Sequence, residues 1–272
     1  MSNILLVPIH LHALVLDHDE FVVDSTADFR HLPYFNGERD KNPDVANISE
    51  DIVSRPFENH LLLEAGIHLH WSLPDALTRA RPKPGSPQIQ EFPMVPNRWL
   101  VTRCDKNDRI EKEWIIESDY LSVTPPAYKS GVQSCVAIPY YKDAGQPFRY
   151  LGRRIDLSEA DEVKTRDTGT YYPRLTAVGY GEPTFAAFYP NCYSVFGFFE
   201  KFTGNIVGRR YYVTGWYRIA HYDPLRTYTS RPALEENLKW TYTSADPEFP
   251  SRIVCYARLE IEGPRVSQPN GH

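Results

Sequence analysis

The sequence predicts a mainly β fold: a sandwich or barrel-like core with long proline-rich loops and a few short helices. Three observations predict it. Aromatic residues are abundant, with 18 Tyr, 13 Phe and 5 Trp against 2 Met, and aromatic and β-branched side chains suit a pleated surface. The 23 Pro suit turns and strand edges, because proline cannot donate to a ladder. Short apolar runs with alternating periodicity are separated by turn residues. The 272 residues are enough to bury a core without cross-links. No low-complexity linker divides them. Residues 1–262 are therefore expected to form one β-rich domain, with a flexible or docking tail over 263–272.

The elements follow in order. Leu5 to Leu16 reads as one strand, Asp17 to Glu20 as a turn, and Phe21 to Asp24 as a returning hairpin partner. Residues 25–58 carry the turn signals Asn36-Gly37, Asn42-Pro43 and Arg55-Pro56. They predict a long loop with a short helix near Val45 to Val53. Leu61 to Leu73 is a second strand, ended by Pro74-Asp75, and Ala76 to Arg79 has room for one helical turn. Residues 81–93 are too proline-dense for a central ladder and read as a loop. Arg98 to Cys104 and Ile110 to Glu117 flank Asp105-Lys106-Asn107-Asp108, a good hairpin signal, with Trp99 and Trp114 expected on one face. Tyr150 to Ile155 reads as a strand, followed by a helix start at Asp156 and a charged, exposed stretch over 161–170. Ser194 to Glu200, Arg209 to Tyr217 and Ile253 to Ile261 complete the strands.

Charge excludes some functions. The balance of 30 Lys+Arg against 35 Asp+Glu gives a net charge of −5. A general nucleic-acid binder would need a basic surface instead. No apolar run reaches spanning length, so no membrane span is expected. The first ten residues lack a basic n-region and a cleavage-like site, so synthesis in the cytosol is expected. The four cysteines, Cys104, Cys135, Cys192 and Cys255, lack Cys-x-x-Cys spacing and read as buried free thiols. Cys192, within Pro190-Asn191-Cys192-Tyr193-Ser194, is the one with a nucleophile reading to weigh.

The strongest chemical lead is a repeat. Ile9-His10-Leu11-His12 recurs as Ile67-His68-Leu69-His70. In a strand, residues i and i+2 share a face, so two paired copies would gather four imidazoles. His10, His12, His68 and His70 are the candidate ligands for zinc or another divalent transition metal. Asp17, Asp19 or Asp75 would be the polar partner of a metal-dependent hydrolase. The plainer reading is partly buried histidines bonded to backbone or carboxylate, with no cofactor. No phosphate-loop, dinucleotide, nucleophile-elbow or His-Glu-x-x-His motif is present. Val178-Gly179-Tyr180-Gly181 reads as a turn, and the pair Glu111 and Glu113 as a solvated strand face. Trp71, Trp99, Trp216 and Tyr217 are the candidate binding residues. They would form a protein contact surface or a sugar-stacking platform, unless such aromatics simply fill the core.

Three segments carry a resemblance. They are Gly66 to Thr78 (with Ile67-His68-Leu69-His70-Trp71 and Leu73-Pro74-Asp75-Ala76-Leu77), Phe92 to Val101, and Leu175 to Phe198. Tyr150-Leu151-Gly152-Arg153 and Gly215-Trp216-Tyr217 with Asp223-Pro224-Leu225 extend it. Together, over roughly residues 4–225, the chain resembles the N-terminal part of a group of large uncharacterised bacterial proteins. Members of that group lie near loci for phage-tail-like contractile injection systems. The resemblance implies a component or cargo of such a particle, made in the cytosol and carried in or on an exported assembly. It also places the second Ile-His-Leu-His in the shared pattern and leaves the first peculiar to this chain. The leading expectation is a non-enzymatic structural or binding module with protein partners. The alternatives are the histidine-based hydrolase and a carbohydrate-binding β domain.

Overall fold

The computed structural model describes residues 3–21, 62–83, 86–123, 136–139, 148–162, 170–177, 195–202, 204–243 and 248–263. Strand occupies 48% of them and helix 16%, which settles the mainly β class. The expected loop over 25–58 with its helix, the Val178–Gly181 turn, Cys135, Cys192 and the tail beyond Gly263 lie outside the described residues. No helix among the described residues is long and apolar enough to cross a membrane.

Two sheets form the body. The larger runs in the order β1 (Ile4–Pro8), β15 (Arg252–Glu260), β14 (Arg210–Trp216), β8 (Arg98–Cys104), β9 (Ile110–Ser122), β11 (Phe148–Asp156) and β10 (Val136–Pro139). A short β12 (Thr170–Tyr171) adds to the far end of β9. Among the described strands of this sheet, only the β1–β15 pair is parallel. The smaller sheet is antiparallel, in the order β13 (Gly197–Glu200), β5 (Gly66–Trp71) and β2 (Leu11–Leu16). The arrangement is an open sandwich rather than a closed barrel.

Alternation builds the core. Ile67, Leu69 and Trp71 of β5 face Trp99, Val101, Tyr211, Val213 and Ile253 of the large sheet, in one buried cluster. Ring pairs bridge the layers: Trp71–Trp99 at 5.3 Å and Trp114–Phe198 at 4.7 Å. Trp99 and Trp114 do share the inward face, as the hairpin signal implied. That hairpin is closed by Asp105, whose carboxylate accepts the N–H groups of Asn107 and Arg109 at 2.8 and 2.9 Å.

Three expectations change. The first strand is two strands in different sheets. Pro8 ends β1, Ile9 donates its N–H to the Tyr256 carbonyl at 3.0 Å, and the chain crosses to the small sheet before Leu11. Phe21 does not return along that strand. β3 (Glu20–Phe21) instead pairs with β4 (Leu62–Leu63). Residues 81–93, expected as loop, contain a hairpin of β6 (Arg81–Lys83) and β7 (Ser86–Glu91). A two-stranded ribbon leaves one edge of each strand free, so Pro82 and Pro87 need not break it.

The helices are short: α1 (Asp75–Thr78), α2 (Pro224–Thr227) and α3 (Arg231–Leu238). The last two were missed, although each has an N-cap followed by proline. Asp223 accepts the Leu225 N–H at 2.9 Å, and Ser230 accepts the Ala233 N–H at 3.4 Å. Leu225, Leu234 and Leu238 then close one end of the core.

Candidate functional site

The β2–β5 register places His12 opposite His70 and Leu14 opposite His68. His68 and His70 share the face turned away from the core, because Ile67, Leu69 and Trp71 occupy the other. His10 lies in the break between β1 and β2. Its carbonyl accepts the Ser72 N–H at 2.9 Å, and its ring is 6.5 Å from that of His12. Three imidazoles thus share a face and the fourth sits at its rim.

Their environments differ. His68 is fully buried, donates from Nε2 to the Glu64 carbonyl at 2.8 Å and stacks on Phe199 at 4.5 Å. It fits the plainer reading of a buried histidine bonded to the backbone. His70 is buried with neither ring nitrogen hydrogen-bonded. Burial, and then the neighbouring His68 and His12, lower its pKa to about 4. The candidate acids do not converge on these rings. Asp17 bonds His18 at 2.5 Å, Asp19 accepts the Ala65 N–H at 2.7 Å, and Asp75 faces Arg79 at 3.8 Å. Among the described residues, no group of three or more His, Cys, Asp and Glu is arranged to hold a metal ion.

His70 carries a pH prediction. Its folded pKa, about 4, lies below the ordinary 6.5, so the native state binds fewer protons than the unfolded chain between those values. The stability linked to neutral His70 is complete above pH 6.5 and is lost as pH falls to about 4. The difference amounts to about 3 kcal/mol. Urea midpoints at pH 7, 5.5 and 4 should fall more steeply in the parent than in His70→Phe. Identical slopes would remove His70 as the cause.

The four candidate binding aromatics do not form a platform. Trp71 and Trp99 have no exposed surface and sit where the two layers meet. Tyr217 is buried and donates its hydroxyl to the Met94 carbonyl at 3.1 Å. Trp216 alone of the four is partly exposed, on the opposite face of the large sheet from Trp99. Cys104 and Cys255 are buried free thiols, and burial pushes Cys255 up to about 12, far from a reactive thiolate.

Sequence reasoning missed a charge cluster. Across β8, β9 and β11, Arg98, Glu117 and Arg153 lie in one cross-strand row. Glu117 receives Arg98 at 3.2 Å and Arg153 at 2.6 Å. Arg98 also pairs with Asp119, which accepts from Asn97 at 2.8 Å and lies 3.5 Å from Arg218. Arg153 stacks on Tyr120 at 3.6 Å, and Arg218 on Tyr171 at 4.3 Å. Arg98, Glu117 and Asp119 are buried. The turn alone did not announce it: a bulge between Arg103 and Cys104 shifts the ladder by one residue, and that shift sets Arg98 against Glu117. A second cluster lies between the layers, where Glu200 accepts from Tyr211 at 2.8 Å and pairs with Arg103. Each carboxylate in these clusters is already engaged, as in a structural lattice.

A cleft of about 1040 Å³ lies between the β1–β2 break, the segment from Ser72 to Pro82 and the C-terminal end of α3. His10 and His12 stand on its rim. No family model, no curated protein and no solved structure matches the chain.

Proposed function

We propose that the chain is a non-enzymatic structural or binding module, a component or cargo of a larger bacterial assembly such as a phage-tail-like contractile injection particle. One observation carries the reading: the carboxylates of the two buried clusters are already engaged by arginine and tyrosine, while apolar side chains face outward on the edge strands. On β1, Ile4 is 41% and Leu6 66% exposed, and Tyr256 beside them on β15 is 39% exposed. On β2, Leu14 and Val15 are exposed as well. β1 and β2 each end their sheet among the described residues. Natural edge strands are commonly guarded by charge or a covering element, whereas the central residues of β1 are Leu5, Leu6 and Val7. An unguarded apolar edge suits strand addition by a partner chain. The resemblance of residues 4–225 to the head of long bacterial proteins supports the same reading.

The test is sedimentation of particles from the native host with the parent and with Leu6→Glu. Leu6 is an exposed position, so the variant should keep its melting temperature. The parent is expected in the fraction holding sheath and tube, and the variant in the low-mass fraction. A parent that stays in the low-mass fraction defeats the proposal.

A further inference from the structure

The cleft beside the β1–β2 break is lined by both charged and apolar side chains. Arg81 lines it, with its guanidinium over the Tyr228 ring at 5.2 Å. Two of its nitrogens, Nε and Nη1, are buried without a hydrogen-bond partner. Buried polar groups are nearly always satisfied by protein, water or a ligand, and an unsatisfied cation is the costliest kind. The nearest cross-strand candidate, Glu91, sits opposite Arg81 in the hairpin, yet it bonds Arg174 at 3.3 Å.

The remaining lining charges do not cancel Arg81. Arg79 and Lys239 face the cleft along with two acids, Asp75 and Glu236, leaving three cations to two anions. Asp75 is itself 3.8 Å from Arg79. Lys239 adds an independent sign. It caps α3 in the left-handed conformation, at φ 53° and ψ 35°. Glycine is the usual residue there, and a lysine is strained. Such strain gathers at ligand sites, and this cap sets Lys239 and Trp240 on the cleft wall. Val7, Ile9, Leu73 and Leu238 supply the apolar lining.

We infer that the cleft binds a small organic carboxylate with an apolar body, its head on Arg81 and its body against Val7, Leu73 and Trp240. A guanidinium matches a planar carboxylate in shape and charge. The volume of about 1040 Å³ lies at the upper end of small-molecule sites, roughly 300 to 1,000 Å³, and is far larger than an inorganic ion needs. The inference is independent of any partner on the edge strands.

Titration calorimetry on the full chain with octanoate, octanol and inorganic phosphate tests it. Octanoate should bind at least roughly tenfold more tightly than either of the others. Arg81→Gln should lose roughly tenfold in octanoate affinity, Arg81→Lys should lose less, and Lys83→Gln on the same hairpin should lose nothing. Octanol binding as tightly as octanoate would mean that no charge is recognised. Phosphate binding as tightly would mean that no apolar body is. Either result overturns the inference, as does an Arg81→Gln protein that folds and keeps its affinity. If that variant fails to fold, the three-probe comparison on the parent decides alone.

Discussion

Gly215→Ala is expected to lower stability by about 3 kcal/mol or more, and the melting temperature by roughly 6 to 12 °C. Gly215 pairs directly with Trp99 across the β14–β8 ladder. A Cβ built on Gly215 would lie 2.8 Å from Cη2 of Trp99 and closer still to Cζ3 and Cε3. The indole has nowhere to retreat. It is fully buried, packs 5.3 Å from Trp71 and 6.1 Å from Phe196, and donates to Ser118 Oγ at 3.1 Å. Ser118 in turn donates to the Val195 carbonyl at 2.5 Å. The added methyl would therefore push on both layers at once. A double-mutant cycle with Trp99→Leu separates this clash from any general effect, because the smaller side chain should recover part of the loss. An alanine variant melting within 2 °C of the parent would mean that Trp99 moves freely, contrary to the packing described.

Asp119→Ala is expected to cost about 3 to 5 kcal/mol, the range found when one member of a buried ion pair is removed. Asp119 is buried and answers Arg98, Asn97 and Arg218 together. Truncation leaves Arg98 buried with Glu117 as its one remaining carboxylate. The control is Glu260→Ala. Glu260 bonds Arg210 at 2.9 Å, but with its side chain 41% exposed. Exposed pairs contribute little, so this variant should not shift the urea midpoint. Equal losses in the two variants would show that the Arg98 cluster has no special weight. The larger role of such a cluster is specificity. A slip of β9 against β8 by one residue would turn Glu117 to the opposite face and bury it unpaired.

The sequence made the strands legible and left their assignment open. The hairpin of β8 and β9 followed from alternation plus the Asp105–Asp108 turn, and β5, β14 and β15 from their apolar and aromatic runs. Alternation names two faces without saying which is inward. Trp99 and Trp71 were therefore readable as surface anchors until the second layer was seen to cover them. The division of residues 5–16 between two sheets depends on Pro8 lacking an N–H and on a partner strand more than 200 residues away. No local pattern announces that partner. The Ile-His-Leu-His repeat shows the limit well. Antiparallel pairing of both copies in register would set His10 against His70 and His12 against His68. The observed register sets His12 against His70, two residues away. The faces are kept, as a two-residue shift must keep them, but His10 falls off the end of the strand. The repeat rightly indicated two strands with like faces, while the four-ring cluster depended on a register that sequence did not determine.

The parallel seam between β1 and β15 also sets an order of events during synthesis. Ile4 pairs with Arg252, 248 positions later. At about 5 to 20 residues per second on the ribosome, the first strand waits roughly 12 to 50 s for its partner. Throughout that interval Ile4 and Leu6 belong to a nascent chain with one sheet edge unclosed. The seam becomes available only after the β8–β9 hairpin has been synthesised, so the local pairing has the earlier opportunity to form. Until that pairing forms, the apolar side chains of β1 need other shielding, and slower translation lengthens their exposure.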